Sequence, residues 1–477
     1  MHKRHSSLLL LCILLGGVLA RILAMHHELL FDEVWSMELA MRIKHPLDVF
    51  TTIHHDNNHY LNTLYLLLVG PAQPFWMYHI PSVIAGSLLI ILVSLWAWRR
   101  NKTQGLIVAL LLSNSYIFIR YSVEARGFMP MMLFGFLSFL SLDRFLRKHP
   151  AKSASGGRSG VLILFWLTAL TAFLWHLTYM EWYLVLIVWS GLRLYSQKRR
   201  HCITDFALLH LPILLFLLLL LIVDIRSMDV GGVAKFGIFA ETLIAGLAML
   251  LGTETIWQPS SWMAWASGGA LFLYLLMLLR TCMRRTIRDP GLRVLLWLLA
   301  IPCGLFVLSA LTILTARLFF PFLLFLLLLL AQQWHHHLSS KSSVRRVVAG
   351  LLLLCMLSTN ALQILHLIRF GDPRYVETLA YIVAHDPADP ITVSSNSNLR
   401  AQKLLRFYVP RLHTSKTITY VRDPEQSALS PAWLLLENDI VETPPTYMIG
   451  KATYDRMHIN DRPGQFWSLY RGSSGSP

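Results

Sequence analysis

Over most of the first 370 residues the apolar positions neither alternate nor recur on one helical face; they run on without interruption. Leu211–Val223, Leu318–Ala331 and Val347–Leu357 are hydrophobic on every side of any helix they could form. A helix of that kind offers no polar face to water and suits lipid, where helical hydrogen bonding satisfies the backbone internally. Such segments lie near 7–24, 79–98, 104–119, 128–146, 161–177, 178–195, 205–223, 262–280, 292–313, 317–334 and 345–367. The pattern predicts an α-helical polytopic membrane protein with about eleven spans. Leu61–Val69 is too short to cross and is bounded by Pro71 and Pro74. It and residues 237–258 are expected to lie in, or dip into, the outer interface.

From about Phe370 the pattern changes. Asp372–His385 reads as an amphipathic helix, Ile391–Ser395 as a strand, Asn398–Tyr408 as a helix and Ala432–Leu436 as a strand. This predicts a small α/β domain over 370–470 after a membrane domain over 1–369, with 471–477 a disordered tail. No internal repeat is visible.

Charge orients the chain. Lys and Arg number 42 against 26 Asp and Glu, and only 14% of residues are charged. The basic excess is no nucleic-acid footprint, because it clusters after alternate segments: Arg99, Arg100 and Lys102; Arg144, Arg147 and Lys148; Lys198, Arg199 and Arg200; Arg280, Arg284 and Arg285; Lys341, Arg345 and Arg346. Short basic loops stay in the cytoplasm. Placing these clusters and the basic N-terminus inside leaves Arg42, Lys44, Arg120, Arg126, Arg226, Lys235 and Arg317 in outer loops. The expected protein sits in the inner membrane, N-terminus cytoplasmic and C-terminus extracytoplasmic. Counting 237–252 as a span would put Arg280–Arg293 outside, which is why that stretch is read as interfacial. The opening Met1–Ala20 has the shape of a signal peptide, but the many later spans favour a retained first helix. The five cysteines fall in spans or cytoplasmic loops, so no disulfide framework is expected.

The expected outer face collects mixed ionisable groups. Asp32 and Glu33 follow the first span; Asp56, Asn57, Asn58 and His59 follow later; Arg120, Glu124 and Arg126 follow the third span; His176, Tyr179 and Glu181 follow the fifth; Arg317 opens the tenth. Charged groups within or against a bilayer are expensive, and they persist where they line a cavity. Asp32 and Glu33 could be two solvated carboxylates at a helix end. Their apolar neighbours Leu29, Leu30, Phe31, Val34 and Trp35 instead suit a partly desolvated base. Arg120, Glu124 and Arg126 suit either a structural ion pair or an anionic headgroup, since guanidinium presents a planar fork of donors to phosphate oxygens. Arg317 is open to two readings, a snorkelling anchor or a further phosphate ligand. His54, His55, Asp56 and His59 are metal-capable but irregularly spaced. His335, His336 and His337 read as a solvated cytoplasmic cluster. No Walker pattern and no dinucleotide fingerprint occurs, so a soluble nucleotide-sugar or ATP site is unsupported.

These residues resemble a family. Asp32 and Glu33 followed by Val34, Trp35 and Ser36 are similar to the first outer loop of the C-type glycosyltransferases, which take sugar from polyprenyl phosphates and include protein mannosyltransferases and lipid A aminoarabinose transferases. Asn57 to Tyr65 stands where many members have His-Pro-Pro-Leu-Tyr-Tyr, here without either proline. Tyr121 to Phe128, with Glu124, Ala125 and Arg126, resembles their Ser-Gln-Glu-Ala-Arg-x-Tyr segment. Arg317 to Pro321 resembles the Arg-Tyr-x-x-Pro opening of a late span. The likeness runs over most of 1–370; the C-terminal domain matches in position only.

The resemblance implies a glycosyltransferase of hexosyl or pentosyl groups with Asp32 as base and Glu33 orienting it or binding acceptor. It implies donor-phosphate binding by Arg120, Arg126 and Arg317, with Glu124 fixing Arg126. His59, Asp56 and His176 would contact substrate or a metal. It leaves open whether a divalent metal, Mg or Mn, assists. The implied partners are a polyprenyl-phosphate sugar, a lipid, glycan or protein acceptor, and the bilayer, with no nucleic acid. A transporter or flippase for a lipid-linked saccharide is the competing class; it would tend to show internal repeats and a mid-membrane site.

Overall fold

The computed structural model describes residues 2–147, 156–197, 201–229, 239–253, 265–274, 320–371, 373–424, 430–437, 444–450, 452–457 and 467–472. The chain divides into two compact units. One comprises Met1–Met25 with Leu39–Ile368, the other His26–Glu38 with Arg369–Pro477.

The helices begin with α1 (His2–Ala24), α2 (Phe31–Ala40), α3 (Asp48–Thr51), α4 (Tyr60–Val69), α5 (Phe75–Arg100) and α6 (Lys102–Ser113). There follow α7 (Tyr116–Ser122), α8 (Phe128–Arg147), α9 (Gly156–Trp175), α10 (Tyr179–Ser196), α11 (Cys202–Val223), α12 (Phe239–Leu251), α13 (Phe320–Leu338) and α14 (Ser343–Phe370). Among the described residues, α1, α5, α8, α11 and α14 are long and apolar enough to cross a membrane, as is α6 with α7 if that pair is one span. The chain is a multi-pass membrane protein. The span expected at 104–119 is broken: α6 and α7 meet at a bend of 59° around Asn114 and Ser115. The stretch expected at 292–313 lies outside the described residues; of the one expected at 262–280, residues 265–274 are described and are helical. Residues 237–258, expected to be interfacial, contain the thirteen-residue α12. Leu61–Val69 falls in the ten-residue α4.

Breaks in these helices expose backbone groups that lipid cannot satisfy, and side chains of neighbouring helices meet them. Pro81 inside α5 lacks the N–H that would bond the Met77 carbonyl, and the Tyr65 hydroxyl donates to that carbonyl instead. Pro212 inside α11 does the same to Leu208, whose carbonyl accepts from Trp166 Nε1 at 3.0 Å. At the α6–α7 bend, Asn360 of α14 accepts from the Tyr116 N–H at 2.8 Å, while Asn114 Nδ2 donates to the Leu357 carbonyl at 2.7 Å. Asn101 closes α5 and opens α6, its side chain accepting from Gln104 N at 3.0 Å. His210 of α11 is buried between the Tyr183 hydroxyl (2.9 Å) and Ser190 Oγ (2.8 Å), an ionisable group inside an expected span that the apolar run around it conceals.

Arg21 is buried completely near the end of α1. Its Nε donates to Ser122 Oγ at 3.0 Å, and its Nη1 to the Gly17 carbonyl at 2.9 Å. Gly86 of α5 makes this possible: a Cβ there would stand 2.1 Å from Ser122 Oγ. Arg21 thus ties α1 to α7, the helix that carries Arg120.

The second unit holds α15 (Tyr375–His385), α16 (Asn398–Tyr408) and six strands: β1 (Ile391–Ser395), β2 (Ile418–Tyr420), β3 (Trp433–Glu437), β4 (Thr446–Ile449), β5 (Ala452–Arg456) and β6 (Trp467–Gly472). They form one mixed sheet in the order β2-β1-β3-β6-β5-β4. β1 runs parallel to β2 and β3, and the remaining pairs are antiparallel. β3 is buried at every position, as a central strand requires. The four elements read from the sequence between Asp372 and Leu436 are present as α15, β1, α16 and β3. β6 runs two residues into the stretch expected to be a disordered tail, because Arg471 pairs with Trp433.

Candidate active site

In the membrane unit the site residues gather at the junctions α3–α4, α7–α8 and α9–α10. Arg126 lies between α7 and α8, and its carbonyl accepts from Ser82 Oγ of α5 at 2.9 Å. Gly127 follows because nothing larger fits: a Cβ there would stand 1.8 Å from the Trp175 carbonyl at the end of α9. This close crossing brings Phe128 against His176, and the Arg126 guanidinium lies 5.3 Å over the Phe128 ring. The His176 ring stacks on His59 (centroids 4.1 Å) and lies 4.1 Å from Phe128.

The Arg126 guanidinium donates from Nη2 to Asn57 Oδ1 at 2.9 Å and contacts His59 Nε2 at 3.2 Å. Guanidinium can only donate, so His59 Nε2 is the acceptor and its ring proton sits on Nδ1. His176 Nδ1 accepts from the Thr178 N–H at 3.2 Å, so its proton sits on Nε2. Asn62 Nδ2 donates to the Ala125 carbonyl at 2.9 Å. Two sequence motifs more than sixty residues apart thereby meet through three side-chain hydrogen bonds.

Arg120 and Glu124 are both buried, with Nη1 and Oε1 3.6 Å apart one turn along the chain. Glu124 thus faces Arg120, and Asn57 and His59 take the place at Arg126 that the resemblance assigns to it. Asp56 is half-exposed and pairs with His55 at 2.9 Å. Arg317 lies outside the described residues.

A neighbouring network went unread in the sequence. Asp224, buried at the end of α11, accepts from the Tyr60 hydroxyl at 2.6 Å and stands 2.6 Å from His54 Nδ1. Burial and then the Asp224 carboxylate push the Tyr60 hydroxyl well above the ordinary phenol range, so it stays a donor. The backbone of His54 and Asp56 also pairs with Asp229. The loop that carries His59 is thus anchored at both ends, and only the isolated Asp224 after an apolar run hinted at it.

Asp32 and Glu33 belong to the second unit. Both sit in the first turn of α2. Glu33 is fully buried, and its Oε2 accepts from the Leu30 N–H at 2.5 Å, the reciprocal half of a capping box. Asp32 is partly exposed one residue earlier, and its carbonyl accepts from Ser36 Oγ at 3.0 Å. Sequence neighbours thus differ: one carboxylate closes the helix end, the other stays accessible.

Among the described residues no group of three or more His, Cys, Asp or Glu side chains could hold a metal ion. His59 in particular spends its one lone pair on Arg126.

No protein-family model and no curated protein matches the chain. Its fold is similar to that of ArnT from Cupriavidus metallidurans, a lipid A aminoarabinose transferase of the C-type glycosyltransferases. The ArnT structure in the apo state matches over 98% of this chain and 98% of its own, at a TM-score of 0.53 and 14% identity. The ArnT structure bound to undecaprenyl phosphate matches over 100% of both chains, at a TM-score of 0.49 and 14% identity.

Proposed function

We propose that this chain is a membrane glycosyltransferase that moves a sugar from a polyprenyl-phosphate donor to an acceptor at the outer face of the inner membrane. The observation that carries the reading is the meeting of Arg126 with Asn57 and His59. Both segments resemble motifs of the C-type glycosyltransferases, and the fold joins them by hydrogen bonds in a protein shaped like ArnT.

The chemistry asks little of the protein. A lipid-linked phosphate already leaves well, so two tasks remain: to accept a proton from the acceptor and to neutralise the departing phosphate. Asp32 takes the acceptor's O–H or N–H proton. The nucleophile bonds to the anomeric carbon, and the carbon–oxygen bond to phosphate breaks with its electron pair going to the phosphate. Direct displacement inverts the anomeric centre. Arg126, Arg120 and Arg317 hold the phosphate charge, where a low-dielectric setting strengthens their effect. Glu124 holds Arg120, Glu33 closes the helix end beside Asp32, and His59 and His176 shape the donor site with Arg126. The donor set at His59 does not fit a metal, so no step runs through one. The acceptor class is lipid, glycan or protein.

The same reading keeps the eleven-span topology, with the N-terminus cytoplasmic and residues 370–470 extracytoplasmic. Transfer from a radiolabelled polyprenyl-phosphate sugar tests it. Asp32→Asn should leave expression intact and slow transfer by ~10²–10⁴-fold, the usual worth of a positioned base; full activity removes Asp32 from that role. Arg126→Ala should weaken donor affinity by about tenfold or more, since charge-assisted bonds to phosphate contribute ~1.5–3 kcal/mol each. Unchanged donor affinity rejects the phosphate role.

A further inference from the structure

The α2 segment is clasped by the α/β fold. Residues 26–38 are one compact unit with Arg369–Pro477, and the bonds that make them so can be named. The Tyr408 hydroxyl at the end of α16 donates to the Leu29 carbonyl at 2.6 Å, in a buried setting. The Val376 N–H opening α15 donates to Glu28 Oε2 at 3.0 Å, where Arg374, the residue before that helix, offers its first-turn N–H groups no side-chain acceptor. Lys403 of α16 pairs its ammonium with Glu38 and lies 4.9 Å from the centre of the Trp35 ring. Arg400, one turn earlier, places its guanidinium 4.9 Å over Phe31 and bonds Glu437 Oε2 at 2.8 Å. Glu437 belongs to β3 and also accepts from Trp467 Nε1 at 3.2 Å, so Arg400 is fastened to the centre of the sheet.

These bonds bracket Asp32 on both sides. Tyr408 and Glu28 hold the chain before it, Arg400 holds its immediate neighbour Phe31, and Lys403 holds the last turns of α2. A ten-residue helix is marginal by itself. α2 therefore takes its place from what grips it, and here the grip is α16.

We infer that the C-terminal α/β domain positions the proposed base: Arg400, Lys403 and Tyr408 are positioning residues that set where Asp32 stands. This rests on the reading of Asp32 given above. Its consequence is a specific kinetic signature. A misplacement of about 1 Å at a reacting group can slow a step by ~10²-fold. Loosening the clasp should therefore lower kcat and leave donor binding alone, because Arg126 and its partners belong to the other unit.

The test uses full-length protein in lipid nanodiscs with a polyprenyl-phosphate sugar as donor. Lys403→Met and Tyr408→Phe should each lower kcat, Lys403→Met by ~10²-fold, with donor KM within about twofold of the parent. Lys403→Arg should restore most of the rate, and so should the charge exchange of Glu38→Lys with Lys403→Glu. Rescue by charge exchange is something a merely space-filling lysine would not show. Should Lys403→Met fail to fold, Tyr408→Phe, which removes only a hydroxyl, carries the test. An unchanged kcat in the folded variants overturns the inference, and so does a raised donor KM at constant kcat, which would make the domain a donor-binding element. Asp32→Asn is run beside them: if it stays active the base assignment fails, whereas an inactive Asp32→Asn with fully active clasp variants sinks the positioning role alone.

Discussion

The two units of this protein are built on opposite rules. In the α/β unit the apolar residues are inside: β3 is buried throughout, and Trp433 and Trp467 are almost fully covered. In the membrane unit large apolar side chains face outward, Leu211, Leu215 and Leu219 of α11 among them, each more than half exposed. Its interior, beside a large apolar core, also encloses Arg21, Arg120, Glu124, Arg126, His176 and His210. Lipid is as apolar as leucine, so burying leucine there gains little, and helix–helix specificity falls to small residues and hydrogen bonds. Gly86, Gly127, Asn114 and Asn360 have that task here, whereas burial of whole apolar strands such as β3 has it in the sheet.

This contrast can be broken at several strengths. Leu435→Ala in β3 removes a completely buried side chain and should destabilise the α/β unit by about 2–5 kcal/mol. The same change at Leu218, which is 51% exposed on α11, should stay within about 0.5 kcal/mol in nanodiscs. Thermal melts of the two full-length variants make the comparison, and equal losses would contradict it.

Glu28 offers a pH-dependent version. Burial pushes its carboxyl up to about 7 from an ordinary 4.5, against the opposing bond from Val376. A raised folded-state pKa means the folded chain holds the proton more tightly. Its contribution is complete below pH 4.5 and is lost as pH rises through about 7, a change of at most about 3 kcal/mol. Hydrogen-exchange protection at Val376, corrected for intrinsic rate, should fall across that window. Glu28→Gln should flatten the dependence while keeping an acceptor for that amide; a persistent slope would place the titration elsewhere.

The smallest effect sharpens the membrane side. Trp166→Phe leaves the Leu208 carbonyl without its indole donor and should cost about 1 kcal/mol, the usual worth of a hydrogen bond between membrane helices. Restoring the backbone with Pro212→Ala should remove most of that penalty, since the helix then supplies its own N–H. Failure of the pair to compensate would disconnect the tryptophan from the proline.

Much of the fold was legible in the order of residues. The uninterrupted apolar runs marked α1, α5, α8, α11 and α14, and the return of amphipathic spacing after Phe370 marked α15, β1, α16 and β3. Arg126, His59 and His176 were singled out from charge against an apolar background, and they do come together. Arg21 escaped notice because Ile22–Met25 continue the hydrophobic run past it. The bend at Asn114 escaped because nothing local breaks the helix there: no proline stands at the bend, and the bonds that stabilise it come from Asn360, far along the chain. β2, β4, β5 and β6 escaped because edge and antiparallel strands take their place from cross-strand partners rather than from their own composition.

Sequence alone determined which segments enter lipid and which residues carry charge at their ends, since transfer of a side chain or backbone group into hydrocarbon is a local free energy summed residue by residue. Tertiary structure alone decided that Arg126 rests on Asn57 and His59, that Glu124 faces Arg120, and that the carboxylates at 32 and 33 fold with the distant α/β domain. Those outcomes depend on which helix ends and loops pack together, and packing is settled by steric fit and hydrogen-bond geometry between groups far apart in the chain.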